Sequence, residues 1–344
     1  MVSLLPNRYY LTGWSGDTES GFVLITRQKS FIITDSRYSE HAARETAGFE
    51  IVEAEEGIGP ALRSISENEK IETIGFESHH LSISAFKRLK RFLKKIRLVP
   101  AAHLIEELRA IKDEAEVVAI KKAAEIADKT FEHLLNFAKP DMTENEIAWE
   151  IEKFMREAGA EKAAWDPIIV AAGTNSSMAH HGAGSVKLKK EDMVLLDFGC
   201  VYQGYHNDIS RVFFVGKPTD QQVEIYNLVL EAQRLGISLV KEGRLGAMVD
   251  RKVRGFLEKS LPAKQAKNIY RHALGHGVGL EVHELPSVST HRKSWLRAGN
   301  VITIEPGIYI PGWGGVRIED MVLVTSKGPK ILTKAPKEIK EVTI

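Results

Sequence analysis

Two aspartates in residues 194–215, VLLDFGCVYQGYHNDISRVFFV, constrain this chain more than any other feature of it. The runs Val194-Leu195-Leu196 and Val212-Phe213-Phe214-Val215 carry the β-branched and aromatic side chains of buried strands. Gly199 and Gly204 punctuate the segment between them, so the spacing predicts a β-hairpin. Asp197 closes the first run and Asp208 leads into the second. An ionised carboxylate at a buried strand end is costly unless a cation or several donors satisfy it. Two of them on paired strands also repel each other, and divalent metal removes both penalties. A lone aspartate here would read as a solvated turn residue, and the rest of the chain decides between the two.

At 344 residues the chain has room for two domains, and with 43% hydrophobic and 27% charged residues it has the makings of an ample core. Residues 1–110 alternate strand and helix signals: a hairpin of residues 22–25 and 31–33, a helix over 37–47, a strand over 71–76 and a basic amphipathic helix over 81–95. That helix carries Lys87, Arg88, Lys90, Arg91, Lys94 and Lys95, but 47 Lys+Arg against 46 Asp+Glu leave a charge of +1, so its basic face reads as solvated. No nucleic-acid or anionic membrane partner is expected. No apolar run approaches the roughly 20 residues of a membrane span, and residues 1–3 begin no signal peptide. The single cysteine, Cys200, excludes an internal disulfide and fits a cytoplasmic location.

Beyond Pro100 the patterns change. A long helix is predicted over 113–138, stopped before Pro140, and another opens at the capping box Thr143-x-x-Glu146 and ends at Gly159. Thr219-x-x-Gln222 opens a third, running to Gly243, and a shorter one covers 246–259. Strands are expected at 168–171, 282–284, 301–304 and 316–324. Hairpins and helices mixed in this way give an α+β domain, with helices packed on one face of a curved sheet.

Three further segments of this half supply ligand-type residues. Arg271-His272-Ala273-Leu274-Gly275-His276-Gly277 and the following His283 set histidines among glycines. Glu305 follows Val301-Ile302-Thr303-Ile304, and Glu319 precedes another apolar run. Asp197, Asp208, Glu305 and Glu319 therefore each sit at the edge of an apolar β run. Four such carboxylates with a glycine-flanked histidine are hard to satisfy without metal. The thiolate-free, carboxylate-rich set favours Mn²⁺, Co²⁺ or Zn²⁺ and can bridge two ions.

The segments LLDFG, YHNDISR, GHGVGLEVHE, TIEPGIY and GGVRIED, in this order, closely resemble the pita-bread metallopeptidases, in particular aminopeptidase P and prolidase. The resemblance covers residues 111–332, and residues 10–14 and 34–38 extend it to that group's creatinase-type N-terminal domain. It implies a creatinase-type α/β domain over 1–110 and a pita-bread catalytic domain over 111–344. It implies two divalent ions, with manganese expected and cobalt or zinc as alternatives. Asp197 would hold one and His276 the other; Asp208 and Glu319 would bridge both. Glu305 would ligate one ion and handle the proton of a bridging hydroxide. His180, rather than its neighbour His181, and His283, seven residues after His276, would be the catalytic histidines, while His272 and Arg317 match secondary active-site positions. Physically, the two histidines would steady the carbonyl oxygen or the leaving nitrogen as charge develops. A homodimer and a proline-containing peptide substrate are expected on the same ground.

The chain departs from the pattern in two places. The family usually has proline at the position of Ala179. Prolidases commonly carry arginine where Ser287 follows Pro286, a bidentate donor for the free carboxylate of a dipeptide. The expected activity is therefore a dinuclear Xaa-Pro aminopeptidase, with an Xaa-Pro dipeptidase as the alternative and Arg292 as the side chain that could stand in for the missing arginine. A non-catalytic binding module on the same fold is the rival from another class. It and a metal-free creatinase-like hydrolase are disfavoured because all five ligand positions are filled. A methionine aminopeptidase would normally lack the N-terminal domain.

Overall fold

Reciprocal capping boxes start three of the four longest helices among the described residues. Asp113 and Glu116 cap Glu114–Phe137, Thr143 and Glu146 cap Glu144–Glu157, and Thr219 and Gln222 cap Asp220–Leu239. In each, the cap side chain accepts from the third helical N–H while that residue's side chain accepts from the cap N–H, which satisfies donors a helix start otherwise leaves bare. The computed structural model describes residues 1–18, 21–263 and 265–344. They divide into two units, Met1–Arg109 and Ala110–Ile344.

The first unit is α/β. Phe22–Ile25 and Ser30–Thr34 form the expected hairpin, and Glu50–Glu53 joins it in parallel after the helix Ser39–Glu45. Thr73–Phe76 and Arg97–Pro100 form a second parallel pair around the helix Ile83–Phe92. The helices Leu5–Thr12 and Leu104–Arg109 had no counterpart in the sequence reading. Both are short, neither carries a long apolar stripe, and no side chain caps the first.

In the second unit every strand pair is antiparallel. Met193–Phe198 runs between Ile169–Ala172 and Ile209–Phe214. A five-stranded sheet follows the order Glu284–Val288, Gly275–Gly277, Val301–Ile304, Asp320–Thr325, Gly328–Ile331. Helices Glu114–Phe137, Glu144–Glu157, Asp220–Leu239 and Gly246–Ser260 share one continuous apolar core with these strands.

Three expectations need correction. The segment between Asp197 and Asp208 is no simple hairpin loop. Cys200–Tyr202 and Tyr205–His206 pair within it, and the former also pairs with Lys162–Ala163. The strand expected over 316–324 breaks at Ile318-Glu319 into Gly314–Arg317 and Asp320–Thr325, which belong to different sheets. An unbroken strand would have carried Arg317 and Glu319 along a single ladder. The strand expected over 282–284 forms instead at Glu284–Val288, at a sheet edge where Pro286 costs no ladder hydrogen bond.

Candidate metal centre

Register sets the centre's first wall. Asp197 lies directly across from Ser210 and from Ile169, so its side chain leaves the same sheet face as Ser210. Arg211, one residue on, leaves the other face, where it is fully buried against Asp320 at 2.7 Å and the backbone carbonyls of Ser210, Glu319 and Ala335. A second wall comes from His276, in a strand squeezed between neighbours on both sides. A Cβ at Gly275 would meet the Thr303 carbonyl oxygen at 1.9 Å, and one at Gly277 would meet the Leu285 carbonyl oxygen at 2.2 Å. Only glycine permits that approach.

Around a cavity of about 510 Å³ stand Asp197, Asp208, His276, Glu305, Glu319, His180, His272, His283 and Arg317, together with Trp165 and Val282. All nine residues singled out from the sequence thus reach one space. Asp208, His276 and Glu319 each offer a ligand atom within 4.8 Å of the others. His276 Nε2 lies 3.3 Å from Glu305 Oε1 and 3.5 Å from Asp208 Oδ2. Its Nδ1 faces the Gly277 carbonyl at 3.1 Å. A carbonyl can only accept, so Nδ1 carries the proton and Nε2 can turn a lone pair on a cation.

Arg317 is the counter-ion. It pairs with Asp197 and donates through Nε to Ser210 Oγ at 2.7 Å and through Nη1 to Tyr309 Oη at 2.8 Å and the Ala179 carbonyl at 3.2 Å. The Ser210 hydroxyl passes the contact on, donating to Glu319 Oε2 at 2.8 Å. Tyr309 lies 3.0 Å from His272 Nε2, while His272 Nδ1 donates to its neighbour's carbonyl at 2.7 Å. Tyr309, Ser210 and Trp165 were not singled out in the sequence. The first lies four residues beyond Glu305 inside TIEPGIY, the one signal that could have found it.

The charges do not balance within the protein. Burial pushes the Asp208 carboxyl well above the usual range, and the negative charge of Asp197 adds to it. Burial does the same to Glu319, reinforced by Asp208. Burial also raises Asp197, despite Arg317. Glu305 departs from the others. Burial would raise it, but the His276 hydrogen bond and the positive charge around it hold it down to about 2. His276 is correspondingly raised to about 9, against the pull of burial, by Glu305 and then Asp208. Burial, then the charge of His276, pushes His283 down to about 4. Among the described residues, Asp197 Oδ1 and Glu319 Oε1 are buried and accept no hydrogen bond. Orphaned oxygens in a nest of unbalanced carboxylates, with one imidazole and no thiolate, fit a pair of divalent cations. The one cysteine, Cys200, is buried and faces the Ala123 carbonyl.

His181 separates from its neighbour. Its Nε2 lies 2.9 Å from Glu144 Oε2, and Glu144 also accepts from the Ala172 N–H, the Asn175 amide and the Gly184 N–H. Arg292 and Ser287 are not among the residues lining the cavity, and Arg292 is exposed.

Comparison with known proteins identifies a family. A model of metallopeptidase family M24 matches residues 118–326, and a model of the creatinase/prolidase N-terminal domain matches residues 1–111. The Xaa-Pro dipeptidase of Pyrococcus horikoshii is 37% identical over 98% of this chain and 93% of its own. Among solved structures, the Xaa-Pro dipeptidase of Bacillus anthracis superimposes with a TM-score of 0.94 at 38% identity, covering 100% of this chain and 94% of that one. The X-Pro aminopeptidase of Thermotoga maritima gives 0.90 at 35% identity, over 99% and 95%.

Proposed function

The chain belongs to metallopeptidase family M24 and carries a creatinase-type N-terminal domain, and from that premise we propose that it is a dinuclear Xaa-Pro aminopeptidase, cutting the bond before proline at peptide N-termini. One observation carries the reading: the carboxylates of Asp197, Asp208, Glu305 and Glu319 converge with the His276 imidazole on a single cavity, and two of their buried oxygens are left without a donor.

Asp197, Asp208, His276, Glu305 and Glu319 would hold the two ions, with Asp208 and Glu319 shared between them. A bound pair of divalent ions polarises the scissile carbonyl and makes water a nucleophile at neutral pH. The protein's own groups do the rest. Glu305, ionised because His276 holds it so, is the group able to take a proton from the attacking water. His283, held neutral by burial, and His180 stand at the same cavity to meet the carbonyl oxygen or the departing prolyl nitrogen. Arg317, Tyr309 and Ser210 orient Asp197, His272 and Glu319. Manganese, a homodimer and a cytoplasmic setting belong to the same proposal; among the described residues no helix is long and apolar enough to cross a membrane.

A second reading, Xaa-Pro dipeptidase, is favoured by the names of several relatives. Against it stands the charge of the cavity. Arg317 is the only Lys or Arg among the described residues that line it, and each of its three nitrogens already donates. Among the described residues the cavity therefore offers no uncommitted Lys or Arg for a dipeptide's carboxylate. Assaying Ala-Pro against Ala-Pro-Ala with Mn²⁺, Co²⁺ and Zn²⁺ separates the readings.

A further inference from the structure

In the unit Met1–Arg109, two imidazoles and a carboxylate converge, none of them part of the centre above. His79 follows the strand Thr73–Phe76 and His103 follows Arg97–Pro100. These strands pair in parallel, so both histidines leave from the carboxyl ends of neighbouring strands, the edge at which α/β folds gather their ligands. The rings stack with centroids 4.4 Å apart. Glu106, on the helix Leu104–Arg109, brings its Oε1 to 2.8 Å from His79 Nε2. One ligand atom from each of the three lies within 4.8 Å of the others.

The carboxylate is held and only partly used. Glu106 is 8% exposed, and its Oε1 also accepts from Asn7 Nδ2 at 2.8 Å. Asn7 is fixed in turn: it donates to Glu77 Oε1 at 2.6 Å and accepts from Arg109 Nη1 at 2.7 Å. Glu106 Oε2 is buried and has no hydrogen-bond partner among the described residues, a deficit that a cation would remove. His103 adds an independent sign. Its φ of +58° is left-handed, a conformation a residue with a Cβ holds at a cost and one that concentrates at ligand clamps.

We propose that His79, His103 and Glu106 form a second metal site, for a single divalent ion of the zinc or cobalt class, with water completing the shell. Two imidazoles with one carboxylate suit Zn²⁺ or Co²⁺, whereas Mg²⁺ and Ca²⁺ prefer all-oxygen sets. The ion would tie together the loops after two strands and the start of a helix, clamping this unit.

The test measures zinc bound to full-length protein, stripped with chelator and then equilibrated at fixed free Zn²⁺. His79→Gln keeps a donor for Glu106 but lacks the imidazole. His103→Gly removes the second imidazole and suits the left-handed backbone, so the metal-free protein stays folded with an undiminished melting temperature. Each variant is expected to carry one zinc fewer than wild type, to show a smaller zinc-induced rise in melting temperature, and to keep wild-type peptidase activity. Asp208→Asn, altered only in the other centre, should keep the zinc that His79→Gln loses. Equal zinc in wild type, His79→Gln and His103→Gly overturns the site, and so does zinc loss in the variants that brings down peptidase activity in proportion.

Discussion

Ser210 stands directly across the ladder from Asp197, yet its hydroxyl serves Glu319, donating to Oε2 at 2.8 Å while accepting from Arg317 Nε at 2.7 Å. One hydroxyl therefore joins the cation that neutralises Asp197 to a proposed bridging carboxylate. Ser210→Ala leaves both partners short of a hydrogen bond in a buried setting, a loss of about 1–3 kcal/mol in stability. Metal affinity should fall ~10–100-fold, as for other partners that orient ligands. Titration calorimetry on the stripped enzyme measures this, and an affinity within twofold of wild type would remove Ser210 from the centre.

Asp208→Asn is expected to abolish activity without unfolding the chain. It keeps shape while removing a charge that, on this reading, two ions share. Bound metal should fall from about two equivalents toward one or none in elemental analysis. Full activity with unchanged metal would sink the bridging role.

His180→Ala and His283→Ala should each lower kcat by roughly 10²-fold or more, the scale of a lost acid–base or oxyanion group. Neither is proposed as a ligand, so metal content should stay at the wild-type value. Metal loss in either variant would mean that the ligand set is drawn wrongly.

The metal-free enzyme should lose stability between pH 7 and pH 9. Asp208 and Glu319 are raised by burial, and His276 is raised to about 9 from its ordinary 6.5 by Glu305 and Asp208 against the pull of burial. The folded state thus keeps protons that the unfolded chain has released, and such a state weakens as pH rises. Glu305, held down to about 2, and His283, pushed down to about 4, have finished titrating below this window. The N-terminal amine, lowered by burial, opposes the trend by at most one proton. Melting temperature should fall over this interval in stripped enzyme and change little in enzyme loaded with Mn²⁺. A flat or rising profile in the stripped form contradicts the account.

Substrate length should follow the missing cation. A bidentate arginine–carboxylate contact is worth about 1.5–3 kcal/mol, or ~10–100-fold in kcat/KM, and a serine hydroxyl cannot replace a charged fork. The tripeptide Xaa-Pro-Xaa should be cleaved at least as well as Xaa-Pro, and Ser287→Arg should shift preference toward the dipeptide. A strong dipeptide preference in wild type that disappears in Arg292→Ala would establish the dipeptidase instead.

What the sequence determined is local or compositional. The caps at Thr143 and Thr219 start helices through bonds within four residues. The apolar runs beside Asp197, Asp208 and Glu305 have to be buried wherever they pair, so acids at their edges announced a centre before any partner was known. Tertiary structure decided the pairings. Arg211 and Arg317 are both buried arginines in β segments, yet only Arg317 meets Asp197, because strand register sends Arg211 to the opposite face and onto Asp320. His180 and His181 are adjacent in sequence, yet one lines the cavity and the other anchors on Glu144. The break at Ile318-Glu319 depends on which sheet each half-strand joins. These outcomes rest on contacts between residues distant in the chain: 37 apart for His181 with Glu144, 120 for Arg317 with Asp197 and 109 for Ser210 with Glu319. A one-residue change of register would reverse them, and no local pattern encodes that register.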